Sequence, residues 1–253
     1  MPRAARRKSA SGIYHIIMRR INRLILFKEE EDSVRFIETL QKYKEICGYR
    51  LYAYCLMGNH IHLLLKEDKE PLATIMRRIC GSYVLWYNKK YDRTGCLFQG
   101  RFKSEPVENE VYFLTVLRYI FQNPIKAGIV FEVRDYDWTN YADYIEGNNR
   151  TDIDFALNIF HTDREKAISR FIKFINLKNN DKCLDVSERR RIKDHDAIRM
   201  IKKRCKISCA TDIQKFDVDK RNLCLRDLKE VDKLSIRQIQ RLTGIGRGII
   251  QRA

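Results

Sequence analysis

The hydrophobic pattern centres on Leu51–Lys66, LYAYCLMGNHIHLLLK, an aliphatic run that carries two histidines one residue apart. In an extended strand successive side chains point to opposite faces, so His60 and His62 share one face while Ile61 points into the other layer. Arg50–Lys66 therefore reads as a central strand, broken near Met57-Gly58, where glycine allows a bulge or a turn. Gly12–Arg20, GIYHIIMRR, is β-branched and alternating and predicts a first strand, with His15 in a core or strand-edge role. The acids Glu29–Asp32 open a helix whose Val34, Ile37 and Leu40 keep helical spacing as far as Gly48. Pro71 opens a second helix to about Tyr91, with Ile75, Ile79 and Tyr83 on its core side. Cys96–Val107 reads as a strand or hairpin arm with Arg101 and Lys103 on one face. Glu108–Gln122 predicts a third helix that stops near Asn123-Pro124, because proline disfavours helical geometry in the residue before it. Strand and helix alternating three times predicts an α+β sandwich, an antiparallel sheet with helices packed on one face.

Beyond about Tyr136 the periodicity weakens. Glu146–Asp154, EGNNRTDID, reads as a linker, Phe155–Leu177 as helical, and Lys178–Lys182 as another break. The expected organisation is a first domain over residues 1–145, a linker and helical connector over 146–186, and an all-α domain over 187–253. In that last domain Ser235 caps a helix whose Ile236, Ile239 and Leu242 face inward. Thr243-Gly244-Ile245 turns the chain, and Gly246–Arg252 begins a second short helix. This is a helix-turn-helix pattern, and an ordinary helical hairpin would share it. The second helix offers Arg247, Gln251 and Arg252, side chains suited to phosphate and base-edge contacts.

Charge narrows the partners. The 253 residues carry 50 Lys and Arg against 33 Asp and Glu, a formal charge of +17. Residues 1–150 contribute +7 and residues 151–253 contribute +10, so both parts favour a polyanion. The opening MPRAARRK is basic with no secretory apolar core behind it, and reads as a DNA-contacting arm. No window has the apolar length of a membrane span. Eight cysteines form no CxxC pair, which suits free thiols in a reducing cytoplasm better than a disulfide framework or a zinc site.

The candidate chemistry starts from His60 and His62, half of a metal site, although two structural imidazoles would show the same spacing. Tyr119 and Asn123 stand four apart at the end of the third helix and share a face. The three segments AYCLMGNHIHLLL, LFQGRFKS and RYIFQNPIKAGIV, in that order, resemble the REP-associated tyrosine transposases. These are an IS200-like branch of the single-stranded-DNA transposases named for a His-hydrophobic-His (HUH) motif. The likeness covers roughly residues 11–131.

The resemblance implies a ferredoxin-like arrangement of the sheet. It implies Tyr119 as a nucleophile that leaves a 5′-phosphotyrosine and a free 3′-hydroxyl. It also implies a divalent cation, Mg²⁺ or Mn²⁺, on His60, His62 and the amide oxygen of Asn123, with Gln122 as a second candidate ligand. The implied substrate is single-stranded DNA, often beside a hairpin, along a basic channel through Arg19, Arg20, Arg101 and Lys103. Residues from about Ala197 onward resemble the C-terminal DNA-binding domain of the bacterial replication initiator, which implies a duplex-binding module. Two other readings stay open: a non-catalytic DNA-binding regulator on the same fold, and a hydrolase in which a metal-bound water attacks and Tyr119 is structural. Oligomeric state is left open.

Overall fold

The computed structural model describes residues 6–147, 150–185, 192 and 194–253. The first five residues of the basic arm, Asn148 and Asn149 of the polar break, and Val186–Arg191 with Lys193 lie outside the described residues. The chain separates into two compact units, Met1–Val186 and Ser187–Ala253.

The first unit is built on a four-stranded sheet of order β2-β3-β1-β4, formed by β1 (Ile13–Arg19), β2 (Arg50–Met57), β3 (His60–Lys66) and β4 (Lys103–Pro106). Every neighbouring pair is antiparallel. Gly58-Asn59 is the tip of a tight hairpin, so the stretch read as one interrupted strand is two strands folded back on each other. With α1 (Glu30–Cys47) after β1 and α2 (Leu72–Lys90) after β3, the order of elements and of strands is the ferredoxin-like one.

Pleating sorts the side chains. Tyr14, Ile16 and Met18 of β1 and Ile61, Leu63 and Leu65 of β3 pack with Phe36 and Leu40 of α1 and Ile75 and Ile79 of α2. The opposite face holds Ala53, Cys55 and Met57 of β2 and Leu64 of β3, against Phe113, Val116, Leu117 and Ile120 of α3 (Glu110–Lys126). Helices thus cover both faces, not one. The strands are apolar on both sides, so a bare second face would leave a large apolar area in water. Asn109 caps α3, its side chain accepting from the Tyr112 N–H at 2.8 Å.

The helix also runs through Pro124 instead of stopping before it. Proline removes one helical hydrogen bond, and the last turn is closed from beyond it, by Ala127 N–H to Asn123 O at 3.0 Å and Ile129 N–H to Pro124 O at 3.0 Å.

Residues 146–186 are more than a connector. After α4 (Tyr141–Glu146), α5 (Ile153–Phe160) and α6 (Arg164–Ile175) place Leu157, Phe171 and Ile175 in the core under α3. The polar run Glu146–Asp154 does not divide the chain, because the helices on either side of it, α4 and α5, belong to one compact unit. Asp152 exchanges two hydrogen bonds with Leu51, its carboxylate accepting from Leu51 N–H at 2.8 Å and its N–H donating to Leu51 O at 2.8 Å. This occupies the bulge between Leu51 and Ala53.

The second unit is helical: α7 (Asp194–Cys205), α8 (Val218–Glu230), α9 (Ile236–Thr243) and α10 (Arg247–Arg252), with a 3-10 turn at Ala210–Lys215. Ile201, Ile213, Leu225, Leu228, Ile239 and Ile250 fill its centre. Ser235 caps α9 by accepting from Gln238 N–H at 3.2 Å. Gly244 ends that helix at φ 74°, and a Cβ there would collide with the Gln214 amide. That amide in turn donates to Thr243 O at 2.6 Å. Arg247, Gln251 and Arg252 are all exposed on α10.

Candidate functional site

The register of the sheet sets the site. Across its α3 face, Arg19 stands opposite His60, Ile17 opposite both His62 and Lys103, and His15 opposite Leu64 and Glu105. The two β3 histidines therefore share the face that α3 covers, and α3 brings Tyr119 onto them. The ring centroids of His60 and His62 are 5.0 Å apart, and those of His62 and Tyr119 5.8 Å. One helical turn on, the Asn123 side-chain amide lies 3.3 Å from His62 Nε2 and within hydrogen-bonding reach of both His60 and the Tyr119 hydroxyl.

His15 completes the cluster from behind. It is fully buried, with Nε2 3.1 Å from His62 Nδ1 and its ring edge-on to Tyr119 at 5.9 Å. His60 is held by Asn59, with 2.6 Å between Nδ1 and Oδ1. If His62 Nδ1 carries the hydrogen and donates to His15, His62 Nε2 keeps its lone pair toward Asn123. That tautomer is the one a metal ligand needs.

Electrostatics agree with neutral imidazoles. Burial lowers the His15 pKa to about 3. It takes His62 well below the usual histidine range, helped by His15 and His60, and it lowers His60, helped by Arg19. Tyr119 is 8% exposed, and burial, followed by the charge of Asp185, raises its hydroxyl pKa although the Asn123 contact opposes the rise. Lys126 Nζ lies over the Tyr119 ring, 5.0 Å from its centre.

Asp185 has no signal in the sequence pattern. It arrives because the segment after α6 folds back over β4 and α3. Arg118 grips Asp181 with Nε–Oδ2 2.8 Å and Nη2–Oδ1 3.0 Å. Glu105 accepts from Leu184 N–H at 3.0 Å and from the Tyr112 hydroxyl at 2.6 Å.

Two expected residues are elsewhere. Gln122 does not join the cluster: its NH₂ donates to Ile175 O at 2.6 Å and Leu177 O at 3.0 Å, and its oxygen accepts from Asn179 at 2.7 Å. Adjacent residues on a helix point about 100° apart, so Gln122 and Asn123 do not both face the histidines. Arg20 is 6% exposed and donates to the Tyr87 hydroxyl at 3.0 Å, on the α2 side of the sheet. Arg19 borders His60, and Arg101 and Lys103 are exposed.

No three His, Cys, Asp or Glu side chains among the described residues group into a metal-holding set. A metal at this cluster would take Asn123 as its third protein donor. Two neutral imidazoles and an amide oxygen make a donor set that fits a small divalent cation and leaves positions open.

Residues 8–123 match the family model described as Transposase IS200 like, the stretch that carries all three sequence segments. A Haemophilus influenzae protein named as a REP-associated tyrosine transposase is 27% identical over 114 residues, covering 39% of this chain and 64% of that relative. The chain therefore spans less than two thirds of that relative's length. Among solved structures, a REP-associated tyrosine transposase bound to a REP hairpin aligns with TM-score 0.54 and 17% identity, over 75% of this chain and 98% of that one. That likeness is one of fold. No helix among the described residues is long and apolar enough to cross a membrane.

Proposed function

We propose that this chain, with an IS200-like transposase match over residues 8–123, is a metal-dependent single-stranded-DNA endonuclease and strand transferase whose nucleophile is Tyr119. The observation that carries the reading is the convergence of Tyr119, His60 and His62 on one amide, that of Asn123. A non-catalytic regulator has no need to keep those four side chains together.

His60, His62 and Asn123 would hold a divalent cation, which would supply positive charge to a scissile phosphate. The protein's own residues do the rest. His15 holds His62 in the ligating tautomer, and Asn59 holds His60. Burial keeps Tyr119 a protonated phenol until a substrate and a proton acceptor are in place. Its Oη then bonds to phosphorus as the bond to the 3′ oxygen breaks. The phenolic proton passes to a base, and the departing 3′ oxygen takes up a proton. The products are a 5′-phosphotyrosine and a 3′-hydroxyl, and attack by another 3′-hydroxyl reverses the step on a new strand without ATP. The second unit, through Arg247, Gln251 and Arg252, would add contact to duplex DNA.

The test uses hairpin oligonucleotides from the flanks of the chain's own gene, labelled at either end, with Mn²⁺ or Mg²⁺. The expected result is a covalent protein–DNA band that carries the 3′ label, because the tyrosine holds the new 5′ end at the break, absent in Tyr119→Phe and in EDTA. Cleavage that survives Tyr119→Phe with no covalent band would replace this reading with attack by a metal-bound water. Replacing Arg247 and Arg252 by Ala in the full chain is expected to weaken duplex binding and flatten its salt dependence by about two units of slope. An unchanged slope would remove the duplex-binding role.

A further inference from the structure

Because α3 runs on through Pro124, its last residue, Lys126, falls on the stripe of the helix that carries the site. Tyr119, Asn123 and Lys126 stand at i, i+4 and i+7, which is one helical face. The Lys126 ammonium lies 5.0 Å from the centre of the Tyr119 ring. A helix ended at Asn123 would not have brought it there.

Lys126 is exposed, and the hydrogen-bond partner of its side chain among the described residues is neutral: Nζ donates to Asn179 Oδ1 at 3.3 Å. The Asn179 amide is itself fixed. Its Nδ2 donates to Gln122 Oε1 at 2.7 Å and to Leu177 O at 3.0 Å, which turns Oδ1 toward Lys126 and the Asp181 N–H, the latter at 3.0 Å. Gln122, turned away from the histidines, thus orients the group that holds Lys126. A cation in the last turn of a helix also suits the helix dipole, but that role needs neither the Asn179 clasp nor a place beside the nucleophile.

A phosphodiester brings negative charge to Tyr119 on its non-bridging oxygens, and more develops as Oη adds to phosphorus. Such charge is best stabilised by a donor already in place. The carboxylate of Asp185 also reaches the Tyr119 hydroxyl, so an arriving phosphate meets a like charge that a nearby ammonium offsets. Lysine suits the task, being a compact point charge on a flexible stem and a common phosphate partner.

We propose that Lys126 is a catalytic residue of strand cleavage, its ammonium turning from Asn179 onto a non-bridging oxygen of the scissile phosphate and stabilising the charge that builds up there. This rests on the reading of Tyr119 as the nucleophile. The Oη–P bond forms as the bond from phosphorus to the 3′ oxygen breaks, and Lys126 stays an ammonium throughout, giving up no proton. The same contact serves the reverse step, when a 3′-hydroxyl attacks the phosphotyrosine. Asn179 is a positioning residue that holds the lysine at the site between turnovers.

The experiment uses the full chain, Mn²⁺ and end-labelled hairpin oligonucleotides, and follows covalent adduct in a single turnover at saturating DNA for wild type, Lys126→Met and Lys126→Arg. Anisotropy on the same strands gives Kd, and thermal melts give stability. Lys126→Met is expected to slow adduct formation at saturation about 10²-fold, with a far smaller change in Kd. Lys126→Arg should recover most of that loss, because it restores the charge. A helix-capping role alone would lower the melting temperature of Lys126→Met and leave its saturating rate as in wild type, which overturns the proposal. So does a loss confined to Kd, or a Lys126→Arg protein as slow as Lys126→Met. In each of those cases wild type still forms its adduct and the nuclease reading stands. If wild type forms no adduct on any strand, the nuclease reading falls and the role of Lys126 with it.

Discussion

His15 on β1 and His62 on β3 are fully buried neighbours, Nε2 to Nδ1 3.1 Å, and His15 supports the Nδ1 side of the His62 ring. Removing it frees the ring and its tautomer. His15→Ala is expected to weaken Mn²⁺ binding about 10- to 100-fold by titration calorimetry. His15→Gln, whose oxygen can accept the same hydrogen, should recover part of that loss. Equal affinity in all three proteins would mean that His62 takes no orientation from His15.

Asn123 and Gln122 are adjacent amides with opposite duties, and their alanine variants should separate cleanly. Asn123→Ala is expected to reduce covalent adduct on the order of 10²-fold or more with little change in melting. Gln122→Ala strips the donors from two carbonyls at the end of α6 and should cost about 1–3 kcal/mol of unfolding free energy in urea. Its Mn²⁺ affinity should stay within about twofold of wild type. A large loss of metal affinity in Gln122→Ala alone would reverse the two roles.

Arg20 and Lys103 divide in the same way. Arg20→Ala leaves the Tyr87 hydroxyl without its buried partner and should cost about 2 kcal/mol of stability. Lys103→Ala, on an exposed strand position, should leave stability within about 0.5 kcal/mol. It should lower affinity for single-stranded DNA and reduce the salt slope by about 0.7. The comparison needs denaturant melts and anisotropy on the same preparations.

Asp32 ties the first turn of α1 to the end of α2. Its carboxylate accepts from Lys28 N–H at 2.8 Å, from Lys90 at 2.9 Å and from the Tyr91 hydroxyl at 2.8 Å. Burial alone would raise its pKa, yet these donors hold it below the ordinary 3.8. A depressed carboxylate contributes stability above its unfolded pKa and loses it as pH falls. Asp32→Asn is therefore expected to be less stable than wild type by about 3 kcal/mol at pH 7, with the gap closing below about pH 4. A gap independent of pH would mean that packing, not charge, explains the loss.

Much of the site was legible in the chain because strand and helix periods are local rules. His60 and His62 share a face through the period of two. Tyr119 and Asn123 share one through the period of 3.6, and the Ser235 cap and Gly244 turn needed only neighbouring residues. The reading stopped short wherever a choice depended on distant partners. A proline was expected to end α3 at Asn123, but the following residues close the turn past it. The polar run at Glu146–Asp154 suggested a boundary, yet the apolar faces of α5 and α6 find their cover in the same core.

By itself, then, the sequence determined the alternation of elements, the facing of the paired histidines, the spacing of tyrosine and amide, and the helix-turn-helix pattern. Tertiary structure alone decided that both sheet faces are covered, that His15 backs His62, that Asp185 reaches Tyr119, that Gln122 and Arg20 turn inward, and that α3 runs on through Pro124 to bring Lys126 beside Tyr119. The physical reason is range. Backbone geometry is set over a few residues, whereas burial, pKa and charge convergence depend on strand register and on segments up to about a hundred residues apart in the chain, such as Arg6 and Phe102.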